Sequence, residues 1–137
     1  MRNKSPLSLM EQMLMVLVFA LAAALCLQGF VMANRISTGM ETRNHAVTIA
    51  QNAAEIVKCL SGDLEQSARQ LNADWDGSVL QADYEPVTQT KELHLEITPV
   101  DSSSPLLGTA QIRVLQGEEI LFEITAAWQE EIINAEK

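Results

Sequence analysis

Aromatic side chains make up only 4% of this 137-residue chain, and cysteine and histidine occur twice each. Two cysteines cannot build a zinc cluster or a disulfide-stapled scaffold. Nine basic side chains stand against eighteen acidic ones, for a formal net charge of −9. That balance excludes a typical nucleic-acid binder, which must supply Lys and Arg to phosphates. No glycine-rich phosphate loop, nucleophile elbow or Ser/His/Asp constellation occurs. Gly29, Gly39 and Gly62 stand alone, and Ser102–Ser104 fall in a proline-ended loop with no base nearby in sequence. The chain therefore reads as a non-enzyme, with no cofactor and no small-molecule substrate expected. Its length allows one modest domain plus accessories.

What the chain does hold is one long apolar run. Met13 to Ala33 is interrupted only by Gln28 and Gly29. Twenty-one residues at about 1.5 Å each span roughly the 30 Å core of a bilayer. Arg2 and Lys4 precede the run, whereas five basic and sixteen acidic side chains follow from His45 onward. Positive flanks stay inside, so the amino terminus is expected in the cytoplasm and the acidic part outside. A second reading is a secretory signal cut after Val31-Met32-Ala33, releasing a secreted domain. Against it, the run exceeds a usual signal core of about 7–15 residues and directly follows the acidic neighbourhood of Glu11. The expected organisation is a short basic leader and helix start at 1–12, a transmembrane helix at 13–33, an extracytoplasmic stalk at 34–74 and a β-sheet domain at 75–137.

Glu11 is the most informative position. A carboxylate at the edge of a membrane helix must sit at the interface, pair with a cation or stay protonated. It could also mark the interfacial helix start, where an acid complements the helix dipole. The segment from Leu7 through Ser8, Leu9, Met10 and Glu11 into the apolar run resembles the amino-terminal helix of type IV pilins and type II secretion pseudopilins. The resemblance covers residues 5–33 and is architectural beyond them. It implies a leader cut between Pro6 and Leu7, a Glu11 that pairs with the amino terminus of a neighbouring subunit, and a helix that packs against others in an assembly. The family carries Gly before the cut, and here Pro6 stands there; retention of Met1–Pro6 would leave a permanently anchored pilin-like protein. Ala20, Ala22, Ala23, Ala24 and Gly29 would allow close helix approach.

Beyond the membrane run, Val47, Ile49, Ala50, Ala53, Ala54, Val57, Leu60, Leu64, Ala68 and Leu71 recur at helical spacing, which predicts one amphipathic helix over 45–72. Gly29, Gly39 and Gly62 mark points where helix could bend or melt. From Ser78 the period changes. Strands are expected near 78–83, 92–100, 110–115 and 120–129, with a hairpin at Gln116–Glu119 that uses Gly117 and a loop at Asp101–Pro105. The predicted fold class is α+β: a long amino-terminal helix, half membrane-spanning and half amphipathic, packed on a small antiparallel meander. Trp128 is expected in that core.

Asn72, Asp74, Asp76, Gly77, Val79 and Asp83 match positions of a calcium-loop template, although Asp83 stands where the long bidentate Glu belongs. The competing reading is a helix-to-strand turn with its acids in water. His45 and His94 are expected at the surface. Cys26 should act as a small hydrophobe and Cys59 as a buried thiol. A bridge between them is not expected, because 33 residue steps of helix would separate them by about 50 Å.

The functional expectation is a single-pass structural subunit of a bacterial cell membrane, resembling a minor pilin or pseudopilin of a pilus, type II secretion or competence assembly. Its partners would be the membrane, other pilin-like subunits and an assembly platform. The alternative is a membrane-anchored extracytoplasmic binding module that recognises a partner protein or a cation.

Overall fold

A computed structural model describes residues 5–86 and 91–130. The chain is α+β, with a long amino-terminal helix, a short second helix and a five-stranded antiparallel sheet. Helix α1 is Ser5–Cys59 and α2 is Leu64–Leu71. The strands are β1 Asp74–Trp75, β2 Leu80–Tyr84, β3 Leu93–Val100, β4 Leu107–Gln116 and β5 Glu119–Gln129. They lie in the sheet in chain order, each antiparallel to the next, as a simple meander.

The described residues fall into two units divided after Gly39. In the first, α1 is mostly apolar, with Glu11, Gln12, Gln28 and Arg35 among its polar residues, and nearly all of it is exposed. Neither Gly29 nor Gly39 interrupts it. In the polar stretch after Ala33 the Thr38 hydroxyl folds back and donates to the Asn34 carbonyl at 2.9 Å.

The second unit owns the core. From α1 come Ala46, Ile49, Ala50, Ala53, Ala54 and Val57, and from α2 come Leu64 and Ala68. The sheet supplies Leu80, Leu93, Leu95, Ile97, Ile112 and Val114 with smaller alanines. The division of sizes is physical. Four alanines keep one helix stripe narrow, so the bulky strand side chains can fill the space at close packing. Alternation does the rest: β3 reads buried at Leu93, Leu95 and Ile97, and β4 at Gly108, Ala110, Ile112 and Val114.

Three expectations are corrected. The helix over 45–72 is two helices, because Ser61 (φ 51°) and Gly62 (φ 81°) adopt the left-handed region between them. The Gly62 N–H returns to the Val57 carbonyl at 2.9 Å and closes α1. Asp63 then caps α2 by accepting the Gln66 N–H at 3.0 Å. Cys59 is exposed, not buried, since it lies two residues past Val57 and so roughly half a turn around the helix from the core stripe. His45 is half-buried, with Nδ1 shut off from solvent and unpartnered. The two cysteines are free.

All four expected strands are present. The two-residue β1 was not anticipated; it pairs Asp74 with Gln81 and Trp75 with Leu80. Gly117 turns the β4–β5 hairpin at φ 65°, and an irregularity at Val114/Leu115 lets Leu115 face Ile120 while Val114 faces Phe122. Trp128 packs at the border of the core, half-buried. Its indole is held against two glycines: a Cβ on Gly62 or on Gly108 would clash with the ring. Gly108 is its cross-strand partner. The last strand is thereby keyed to the joint between the helices.

Candidate functional site

The amino-terminal half of α1 carries the assembly residues expected from the sequence. Its most apolar 18-residue stretch has a mean hydropathy of 2.5, and none of that stretch is buried within the protein. It is long and apolar enough to cross a membrane. Leu7, Leu9, Met13, Leu17, Phe19 and Phe30 are among its side chains that are more than half exposed. A surface of this kind is stable only against lipid or against other apolar helices.

Helical geometry sorts the expected packing residues into two groups. At about 100° per residue, Glu11 shares a face with Met15, Val18, Ala22, Cys26, Gly29 and Ala33, all within an arc of roughly 80°. Leu7 lies one turn before Glu11 on the margin of this face, and Pro6 and Leu7 are both already helical. Gly29 therefore belongs with Glu11, whereas Ala20, Ala23 and Ala24 fall on the far side of the helix. Together with Gly29, the residues Ala22, Cys26 and Ala33 form a stripe of small residues on the Glu11 face, beyond Met15 and Val18. The signal was in the sequence as the spacing 22, 26, 29, 33. It emerges only once Glu11 and the small residues are placed on one uninterrupted helix.

The calcium-template residues are engaged elsewhere. Asn72 terminates α2 in the left-handed region at φ 51°. Asp74 is in β1. Asp76 Oδ1 accepts the Ser78 N–H at 2.7 Å, the Ser78 hydroxyl at 2.8 Å and the Val79 N–H at 2.8 Å. These bonds, led by the one from Val79, hold its carboxyl below the usual aspartate range. Asp83 faces His94 across β2 and β3, with Oδ1 to Nδ1 at 2.6 Å. Among the described residues, no group of three or more His, Cys, Asp or Glu side chains is arranged to hold a metal ion.

The outer sheet face is a tied polar layer. Glu123 accepts from Gln111 Nε2 at 2.8 Å and from Arg113 Nε at 2.9 Å, while Arg113 also donates to Gln111 Oε1 at 2.8 Å. These partners sit on β4 and β5 and brace that edge of the sheet. Tyr84 is the aromatic counterpart at the sheet's other side, its phenol pushed up by burial. None of these groups forms a nucleophile–base pair.

No family model, curated protein or solved structure matches the chain.

Proposed function

We propose that the chain is a membrane-anchored structural subunit, resembling a minor pilin or pseudopilin of a pilus, type II secretion or competence-type assembly in a bacterial cell membrane. The observation that carries the reading is the contrast within α1. One continuous helix is mostly apolar and unburied in its first half and is packed as the core helix of an antiparallel sheet in its second.

In this reading the amino terminus is cytoplasmic and the sheet domain extracytoplasmic. Subunits associate by packing their membrane helices against one another. Small residues on the Glu11 face let a neighbour approach, and the low dielectric around the contact makes the Glu11 carboxylate demand a cationic partner. Glu11 thus sets subunit register or recruits the assembly platform. The role is mechanical, not catalytic.

The amino terminus tests the reading. Mass spectrometry finding a start at Leu7 supports pilin-type processing; an intact Met1 is compatible with an anchored subunit that keeps its leader. A start at Asn34 overturns both and favours a secreted domain. With the anchor intact, Glu11→Ala is expected to abolish co-isolation with neighbouring pilin-like subunits. Unchanged association would remove the role assigned to Glu11 and favour an anchored binding module.

A further inference from the structure

We infer that the open edge of β5 receives an extended, basic segment of a partner protein as a further strand of the sheet. The two edges of the meander are built differently. At one, β1 is two residues long and covers only Leu80 and Gln81 of β2, with α2 lying beside both strands. At the other, β5 is the last strand, and no element of the described residues pairs with its far side.

That far side is long and straight. From Phe122 to Gln129 the strand runs opposite Val114 to Leu107 in eight consecutive one-to-one pairs, and the irregularity in register falls before this stretch, at the hairpin end. In an antiparallel pair every second residue turns its N–H and C=O away from the partner strand, so about four residues here present both groups outward. Sheets usually guard such an edge with Pro, Lys, a bulge within the strand or an inward-pointing charge. Phe122–Gln129 holds no Pro, Gly, Lys or Arg. Its one charge, Glu123, lies on the outer face and is tied to Arg113 and Gln111.

Side-chain packing stops one strand short. Phe122 and Ile124 sit on the core side of β5, opposite Val114 and Ile112. The two β4 side chains are fully buried, whereas their β5 partners are half-buried. A further strand with apolar side chains on this side would cover them, which sets the alternation of the occupant.

Charge supplies the other half of its chemistry. The stretch from Glu118 to Glu130 carries four acids and no base. Of these, Glu118, Glu119 and Glu130 have no ion-pair partner among the described residues. Cross-strand neighbours of opposite charge stabilise a sheet and like charges weaken it. A strand with Lys or Arg on its outer side therefore suits this edge, and a second copy of the acidic β5 suits it less. The site lies in the unit after Gly39 and is independent of the role given to Glu11.

The test is hydrogen exchange, followed by NMR on the full, isotopically labelled chain in detergent micelles. In the free chain the N–H groups of Phe122–Gln129 are expected to exchange in alternation, fast on the open side and slow on the β4 side. Acetyl-Lys-Val-Lys-Val-Thr-Val-Lys-amide should slow the fast set about tenfold at about nine-tenths occupancy, because exchange then proceeds only through the unoccupied fraction. Acetyl-Glu-Val-Glu-Val-Thr-Val-Glu-amide, with the wrong charge, should not. Nor should acetyl-Lys-Pro-Lys-Pro-Thr-Pro-Lys-amide, which keeps the charge but lacks alternate main-chain donors. Thr125→Lys, an added guard on the exposed face of β5, should weaken the Lys-Val peptide by up to about fivefold. The proposal fails if that peptide leaves the fast set unchanged, if either control slows it equally, or if Thr125→Lys binds undiminished. It also fails if no fast set exists in the free chain, since the edge would then be occupied by the chain itself or by a second copy.

Discussion

The two halves of α1 are built from similar apolar residues and meet opposite fates. Between Ser5 and Gly39 the large side chains, among them Leu17, Phe19 and Phe30, project outward with nothing of the chain upon them. Between Met40 and Cys59 the helix is amphipathic, and its small residues disappear beneath a sheet. The difference lies in arrangement. An apolar surface all round a helix has no polar side to give to water, so it belongs in lipid or among other helices. A single narrow stripe needs only one sheet to cover it.

That contrast makes the sheet domain independent of the first half of α1 and dependent on the second. The sharpest way to break the comparison is truncation. A fragment beginning at Met40 is expected to melt cooperatively by circular dichroism, whereas one beginning at Leu60 should show no cooperative transition. The second loses Ala46, Ile49, Ala50, Ala53, Ala54 and Val57, the helix side of the core. Cooperative melting of the shorter fragment would show that the helix is an accessory to the sheet.

Single substitutions sharpen the same comparison. Ile97 is fully buried on β3, so Ile97→Ala should destabilise the sheet domain by about 2–5 kcal/mol in chemical denaturation. Leu17→Ala, on the exposed half, should leave that transition where it is. Equal effects would mean that the two halves share a core.

At the joint, Gly62→Ala combines an unfavourable positive φ with a Cβ in contact with the Trp128 ring. It is expected to cost about 1–3 kcal/mol. A double-mutant cycle with Trp128→Leu should recover the steric part and leave the backbone part, measured by the same denaturation curves. No coupling between the two would refute the keying of β5 to the α1–α2 break.

The smallest expected effect is at Asp76. Its carboxyl is held below the ordinary aspartate value, about 3.9, by bonds from Val79 and Ser78. A lowered folded-state pKa means that its contribution is complete above the unfolded value and is lost as pH falls through the lower folded value. Amide exchange at Ser78 and Val79 should therefore accelerate relative to the core strands only in strong acid. Asp76→Asn should remove that selective acid response. A response that begins near neutrality would point to another group.

Much of the architecture was legible because it rests on period. Leu93, Leu95 and Ile97 alternate with His94, Glu96 and Thr98, which decides a half-buried strand without reference to any neighbour. Gly117 between two alternating runs similarly decides a hairpin. Gly62 was visible as a weak point, along with Gly29 and Gly39, but the three are indistinguishable locally. Only at Gly62 does a bulky ring from a strand 66 residues later occupy the space of a side chain. Strand β1 was invisible for a related reason: two residues carry no period, and the pairing of Asp74 and Trp75 exists only through β2.

For the functional surface, the sequence by itself determined the apolar run, its length, the flanking charge asymmetry and the carboxylate at its edge, because hydropathy and spacing are properties of the chain. It also determined which residues could share a helix face, since about 100° per residue follows from the backbone geometry of any α-helix. Tertiary structure decided where the helix stops, which cysteine face turns to solvent and how Trp128 meets Gly62 and Gly108. It alone made β5 an edge strand whose far side is open among the described residues. Those outcomes depend on which side chains fold into the same space, and sequence neighbours carry no record of that.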